Sequence, residues 1–140
     1  MSQDLVRFSI AMPEDLLVRF DAFVARRGVA KNRSEVIRDL VRDALVEDEC
    51  ASPESEVVGT LTLEYNHHAH DLQEKLHDIQ HEYFESIVSN LHIHLDEDNC
   101  LEIIVLRGES FMVRTIADRI IGTKGVNHGQ LVLTTPHGGQ

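Results

Sequence analysis

The sequence predicts an α+β fold in two parts, a strand with two helices over residues 1–47 and a βαββαβ unit over residues 57–140. Apolar residues recur at every second position in some segments and at helical spacing in others, so that strands and helices can be distinguished. The chain has 140 residues, of which 42% are hydrophobic and 26% charged. This length is typical of about one domain, and the balance argues against disorder and fibrous repeats.

Charge divides the chain in a similar way. Residues 1–46 hold eight basic and seven acidic residues, a net charge of +1, and residues 47–140 hold five and seventeen, a net charge of −12. The overall charge of −11 therefore argues against a nucleic-acid footprint over the whole chain but leaves one open in the N-terminal part. Between the two parts, residues 48–56 are acidic, contain Ser and Pro and show no apolar period, which predicts a linker.

Location and redox chemistry are constrained by two absences. No apolar run approaches membrane length, and no cationic segment followed by an apolar stretch opens the chain, so a cytoplasmic location is expected. Two cysteines, Cys50 and Cys100, are too few for a disulfide scaffold. Cys50 lies in the predicted linker and is expected to be inert.

Each N-terminal element has its own signal. Residues 5–11 alternate, which predicts a strand with an apolar face of Val6, Phe8 and Ile10 and an opposite face of Arg7, Ser9 and Ala11. Pro13, followed by two acidic residues, starts a first helix that Gly28 ends. Asn32 starts a second helix, with Glu35 three residues later as the partner in a capping box.

A strand and two helices in 46 residues cannot bury a core alone, and an unpaired strand is unstable in water. We therefore expect a second chain, with the two strands paired as an antiparallel ribbon. Arg7, Ser9 and Ala11 would then face outwards on a ribbon that fits the DNA major groove. Lys31 and Arg33, beside the N-terminus of the second helix, would hold a phosphate. From the pattern alone, a merely solvated strand face is the alternative. The elements follow the order strand, helix, Arg-Arg-Gly, turn, Asn-Arg-Ser-Glu and helix. In this order the segment resembles the ribbon-helix-helix repressors.

The C-terminal part alternates between strand and helix patterns. Strands are predicted at 57–65, 88–95, 100–106 and 126–135, and helices at 70–84 and 111–121. This βαββαβ order predicts a ferredoxin-like sandwich in which both helices cover one face of a four-stranded sheet.

The predicted hairpin carries a candidate metal site. His92 and His94 are two residues apart on one strand and share a face, and Cys100 opens the next strand across a short acidic loop. Two imidazoles and a thiolate are three suitable metal ligands, and Glu102 could accept a hydrogen bond from an imidazole. Chance alternation on a solvated strand is one alternative, and a zinc enzyme with Glu102 as its base is another.

The remaining histidines give weaker signals. His67, His68 and His70 occur at a strand-to-helix junction, where exposed loop residues or a weak accessory site are both possible. His77 and His81 are one helical turn apart and could bridge a metal. His128 begins a strand and His137 lies in a Gly-rich tail.

His81, the segment Leu91-His92-Ile93-His94 and the segment from Asp98 to Ile103 resemble the signature of the nickel-responsive NikR repressors, and the likeness extends over about residues 5–134. The resemblance implies a square-planar nickel site made by His92, His94 and Cys100 of one subunit with His81 of the partner subunit. It also implies a ribbon-helix-helix DNA-binding domain over 1–47 and an ACT-like, tetramer-forming domain over 57–140. The implied function is nickel-dependent repression of nickel uptake genes through an inverted-repeat operator.

Other family features match less uniformly. Glu35 and Asp39 lie one turn apart at positions where members bind a second cation, potassium. Ala69 and His70 replace a basic pair that contacts the DNA backbone in some members, and Ala11 replaces a threonine on the ribbon, so the operator is expected to differ. A ribbon-helix-helix regulator that senses an amino acid through its ACT-like domain is the remaining alternative.

Overall fold

The computed structural model describes residues 4–28 and 31–137. It contains two compact units, Met1–Val41 and Arg42–Gln140. Within the described ranges, no helix has the length and apolar character needed to cross a membrane.

Two helices are found where the N-terminal signals predict them, α1 over Glu14–Arg26 and α2 over Arg33–Ala51. Two acidic residues occupy the first turn of α1, after Pro13, and the N–H of Leu17 donates to the Pro13 carbonyl at 3.0 Å. The side-chain Oδ1 of Asn32 accepts a hydrogen bond from the N–H of Glu35 at 2.9 Å, which is the first half of the predicted capping box. A side-chain cap therefore sets the start of α2, whereas α1 begins after Pro13 without one.

Residues 4–13 form no hydrogen-bonded strand in the single chain, in contrast to the prediction for residues 5–11. Both faces of this segment are exposed, with Leu5 at 87% and Phe8 at 75% of their full accessible area. A strand is defined by its pairing, and this segment has no neighbouring strand among the described residues of its unit. Strand pairing with a second chain remains a prediction.

The prediction of a linker over residues 48–56 is wrong at both ends. Helix α2 continues to Ala51, and Glu56 already belongs to the first strand. The lack of an apolar period does not end a helix; α2 stops just before Ser52, which precedes Pro53 and is therefore disfavoured in helical geometry. Cys50 is 3% exposed and packs in the core of the second unit, and its carbonyl accepts a 2.6 Å hydrogen bond from the Ser110 hydroxyl.

The second unit confirms the predicted βαββαβ order. Its elements are β1 (Glu56–Asn66), α3 (Leu72–Glu82), β2 (Ile87–His94), β3 (Asn99–Glu109), α4 (Ser110–Ile121) and β4 (Val126–Thr134). The strands pair antiparallel in the order β2-β3-β1-β4.

Both helices of this unit cover the same face of the sheet. The odd-numbered residues of β1 from Val57 to Tyr65 and the even-numbered residues of β3 from Cys100 to Leu106 are buried beneath α3 and α4. Gly59 allows the close approach of α4, since a Cβ there would lie 2.9 Å from a Val113 methyl group. The core therefore lies between the helices and one sheet face, and the hairpin of β2 and β3 lies at the sheet edge.

Candidate metal centre

The β2–β3 hairpin brings the two halves of the predicted His-x-His and Cys motif together. His94 is paired with Cys100 and His92 with Glu102 in the antiparallel register. The turn is fixed by the Asp96 carboxylate, whose Oδ1 accepts hydrogen bonds from the N–H groups of Asp98 and Asn99, both at 2.8 Å. Hydrogen bonds from the Asn99 side chain and from these N–H groups lower the pKa of Asp96, so that it is ionised at neutral pH.

Cys100 provides a buried sulfur beside an imidazole. Its Sγ lies 3.6 Å from Nδ1 of His94, and the residue is fully buried. Burial raises the pKa of the Cys100 thiol, and the nearby carboxylates of Asp96 and Glu102 raise it further. The thiol is therefore protonated at neutral pH, and a metal cation that binds the sulfur must displace the proton.

His92 is oriented by polar groups of the neighbouring strands. Its Nδ1 lies 3.5 Å from the Tyr65 hydroxyl and 3.8 Å from Oε1 of Glu102. With Nδ1 directed at these two groups, Nε2 is the nitrogen left for a ligand. Glu102 thus lies beside an imidazole, in the position that the strand alternation predicts.

Glu102 is part of a buried hydrogen-bond network that the sequence did not reveal. The Tyr65 hydroxyl donates to one oxygen of Glu102 at 3.2 Å, and Nε2 of Gln80 donates to the other at 3.0 Å. Asn90 in turn donates to Oε1 of Gln80 at 2.6 Å. Burial, together with the Glu102 carboxylate, raises the pKa of the Tyr65 phenol far above its usual value. The network joins β1, β2 and β3 to the residue of α3 that directly precedes His81.

His67, for which the sequence leaves open an exposed loop position or a weak accessory site, is the third donor beside His94 and Cys100. One donor atom each from His67, His94 and Cys100 lie within 4.8 Å of one another. His67 follows the last residue of β1, and its N–H donates to the Asp98 carbonyl in the hairpin turn at 2.5 Å. Since β1 pairs Asn66 with Asn99, extending the strand register by one residue would have placed His67 beside the site.

The other predicted metal residues lie outside this group of three donors, as far as the described residues show. His81 is exposed in the last turn of α3. His68 and His70 approach Asp98 and Asp71 at 3.5 and 2.9 Å.

The proposed second-cation residues, Glu35 and Asp39, lie in the first turns of α2. Nζ of Lys31 is 3.0 Å from Oδ2 of Asp39. The carboxylate expected to bind a cation is thus paired with an ammonium group.

The candidate DNA-contacting residues are exposed in the single chain. Arg7, Ser9 and Ala11 lie in the unpaired segment. Arg33 makes two hydrogen bonds of 2.7 Å to the two carboxylate oxygens of Asp21. That contact lowers the pKa of Asp21, chiefly by hydrogen bonding.

The donor set at the hairpin fits a borderline transition metal such as nickel. Imidazole nitrogen and thiolate sulfur suit Ni(II), Cu(II) and Zn(II), whereas Mg²⁺ and Ca²⁺ require oxygen ligands. The buried Cys100 and the adjacent imidazoles supply such donors, and the Glu102 network supplies hydrogen-bond partners behind them.

Comparison with known proteins agrees with this chemistry. Residues 58–134 match the model described as "NikR C terminal nickel binding domain", and residues 6–48 match "Ribbon-helix-helix protein, copG family". The chain is 56% identical to a protein of Solibacter usitatus, 53% to one of Geobacter sp. and 49% to one of Pyrococcus furiosus, in each case over 94% of both chains. All three bear the name "Putative nickel-responsive regulator".

These matches extend over both parts of the chain. The C-terminal model alone covers more than half of its residues. The chain therefore belongs to the NikR family of transcriptional regulators, which are not enzymes, with a ribbon-helix-helix DNA-binding domain followed by the NikR nickel-binding domain.

Proposed function

We propose that the protein is a cytoplasmic, nickel-dependent repressor of nickel uptake genes, which binds an inverted-repeat operator as a homotetramer. The observation that carries this proposal is the juxtaposition of Cys100 and His94 at 3.6 Å in a chain with an N-terminal DNA-binding domain. A metal site and a DNA-binding domain in one chain make a metal-dependent regulator the simplest function.

The residues that would hold nickel are His92, His94 and Cys100 of one subunit with His81 of the partner subunit. Exposure of His81 on α3 supports its use by another chain, because its imidazole is accessible from outside the subunit. Bound nickel would supply a preference for four such donors in one plane, whereas Zn(II) prefers a tetrahedron. Selectivity would then depend on geometry, since copper binds such donors more tightly than nickel.

Contacts among the protein's own residues explain how nickel binding at this site could affect the position of helix α3. Glu102 lies beside His92 and accepts a hydrogen bond from Gln80, the neighbour of His81 in sequence. Holding His92 and His81 in fixed positions would order the segment between them. That order would favour the tetramer conformations in which both DNA-binding dimers reach one operator, a population shift driven by differential metal affinity.

An apolar groove in the first unit supports a dimer through this unit. The groove has a volume of about 740 Å³. Its apolar lining consists of Leu5, Val6, Phe8, Ile10, Met12, Leu17, Phe20 and Ile37. Uncovered apolar surface of this kind is costly in water, and a second copy of the segment 5–11 would cover it while pairing the strands. Arg7, Ser9 and Ala11 of both chains would then form one DNA-facing ribbon.

An uncovered sheet face in the second unit supports a further association of dimers. Leu91, Ile93 and Val132 are 55%, 36% and 59% exposed. In the strand register, Leu91 and Ile93 pair with Ile103 and Leu101, on the face opposite α3 and α4. We propose that this face meets the same face of another copy to form the tetrameric core.

The experiment that tests the function selects DNA from a random pool with nickel-loaded protein. The proposal predicts that a two-fold symmetric sequence is enriched with nickel and not with a chelator, and that it occurs upstream of nickel transport genes. Equal enrichment in the presence of nickel and chelator would contradict the proposal.

A further inference from the structure

We propose that Arg119 is a positioning residue of the shared nickel site, because it fixes the last turn of α3 and so holds His81 in place for the partner subunit before nickel is bound. The inference rests on the proposed use of His81 as a ligand by another subunit. It gives α4, which supplies none of the proposed ligands, a role in nickel affinity.

The guanidinium group of Arg119 joins α4 to the end of α3. Its Nη1 donates to Oε2 of Glu82 at 2.7 Å and to the Tyr83 hydroxyl at 3.1 Å. The guanidinium carbon also lies 5.6 Å from the centre of the Tyr83 ring. An isolated exposed ion pair contributes little to stability, but here one planar cation contacts a carboxylate, a hydroxyl and an aromatic ring together. Arg119, Glu82 and Tyr83 are called the Arg119 cluster below.

Tyr83 connects this cluster to the core and to the sheet. Its side chain is half-buried and packs against the apolar core of the unit. Its N–H donates to the Ile79 carbonyl at 3.2 Å, and its carbonyl accepts a hydrogen bond from the N–H of Ser86 at 2.9 Å. The Ser86 carbonyl in turn accepts one from the N–H of Arg107 on β3 at 2.8 Å. The backbone that follows His81 is therefore held by groups of the same subunit.

Gln80 holds the backbone that precedes His81. Its side-chain amide donates to the buried Glu102 carboxylate at 3.0 Å and accepts a hydrogen bond from Asn90 at 2.6 Å. His81 thus lies between residues that are fixed on both sides, while its own side chain is exposed. Because these contacts are all made by the protein's own side chains, the last turn of α3 keeps its position without help from an ion.

A ligand that is already in position raises the affinity for its metal. When only a fraction of the molecules has the binding-competent arrangement, the apparent dissociation constant rises by the reciprocal of that fraction. Loss of the Arg119 cluster leaves this turn held from one side, by Gln80, so the fraction with His81 in position falls. The bound ion must then order the turn, and part of its binding free energy is lost.

The first test uses the full-length protein without nickel and measures hydrogen exchange by mass spectrometry. Residues 83–87 should be protected in the wild type, because the N–H groups of Tyr83, Phe84, Ser86 and Ile87 are hydrogen-bonded. Arg119→Met keeps the aliphatic part of the side chain but loses the charge, and it should speed exchange in this segment about fivefold.

Arg107→Met is the matched control for this test. The Arg107 side chain also makes an exposed ion pair, at 2.8 Å, but its partner is Glu56 of β1. The side chains of the two pairs are similarly exposed. Arg107→Met should therefore leave the exchange of residues 83–87 at the wild-type rate.

The second test measures the affinity of the full-length protein for nickel chloride. Arg119→Met should bind nickel about fivefold more weakly than the wild type, with the thiolate-to-nickel absorption at the same wavelength because all four proposed ligands are kept. Arg119→Glu brings two carboxylates together and should weaken binding further. Adding Glu82→Arg to that variant reverses the ion pair and should restore most of the wild-type affinity, a rescue that general destabilisation does not produce.

Two results would overturn the inference: exchange of residues 83–87 in Arg119→Met at the wild-type rate, or equal nickel affinities of Arg119→Met and Arg107→Met. Neither result affects nickel-dependent DNA binding by the wild type. Failure of that binding would instead reject the proposed function, so the two failures can be distinguished.

Discussion

The Sγ atom of Cys100 lies 3.6 Å from Nδ1 of His94, directly across the β2–β3 ladder. Only five residues separate the two in sequence, and the Asp96 carboxylate fixes the turn between them. A pair of metal donors is thus set by local structure, whereas His67 arrives from β1 and His81 lies on α3.

Cys100→Ala should abolish nickel binding and nickel-dependent DNA binding while the fold is kept. The sulfur is the sole thiolate donor in the group of three described donors, and its loss should cost about 1 kcal/mol of stability, the typical effect of one substitution. Calorimetry measures nickel binding, and circular dichroism shows whether the fold is kept. Cys50→Ala is the control, because Cys50 is equally buried but lies outside that group; loss of nickel binding in both variants would contradict the assignment.

Nickel affinity should fall as the pH falls. Burial and two nearby carboxylates raise the pKa of the Cys100 thiol above its ordinary value, so it is protonated throughout the range of about pH 6 to 8. Binding then releases one proton from sulfur, and the dissociation constant should rise about tenfold for each unit of acidification. Titrations at several pH values measure the slope, and an affinity independent of pH would show that the thiolate is not a ligand.

Arg33→Ala should weaken DNA binding, whereas Asp21→Ala should not. Arg33 is paired with Asp21 through two hydrogen bonds of 2.7 Å, so both substitutions remove the same ion pair. If Arg33 also contacts a phosphate, only its own loss should lower the slope of log affinity against log salt, by about one. Fluorescence anisotropy at several salt concentrations measures this slope; similar losses in both variants would indicate a purely structural ion pair.

Phe8→Glu should reduce the proposed tetramer to a dimer and abolish DNA binding. Phe8 is 75% exposed in the single chain and lines the apolar groove, so a charge there would be buried on pairing with a second chain. Sedimentation velocity gives the mass. Arg7 is adjacent to Phe8 and lies on the other face of the predicted strand. The control variant Arg7→Ala should therefore lose DNA affinity but keep the proposed tetramer. An unchanged mass for Phe8→Glu would exclude this face as the dimer contact.

Local patterns predicted the second unit well. Alternation and helical spacing predicted the order of its six elements, and four of them, β1, β3, α3 and α4, have one buried face. Residues 5–11 are unpaired in the single chain, since a strand is defined by its pairing, and their pairing with a second chain remains a prediction. The acidic end of α2 was mistaken for a linker, since burial of Cys50 depends on the distant residue Ser110.

Of the contacts in the candidate metal centre, the sequence predicted only those between residues close together in the chain, within the β2–β3 hairpin. Strand alternation was sufficient to bring His92, His94, Cys100 and Glu102 together. The contacts of Glu102 with Tyr65 and Gln80 depend on strand order and on the packing of α3, which no short motif encodes. His67 reaches the site for the same reason, through the pairing of β1 with β3.

The most direct test of nickel-dependent repression is the affinity of the protein for its selected operator with nickel and with a chelator. We predict tight binding with nickel, at least about tenfold tighter than without it, a coupling of about 1.4 kcal/mol or more. Cys100→Ala should bind equally weakly in both conditions. Equal affinity of the wild-type protein with nickel and with chelator would contradict the account.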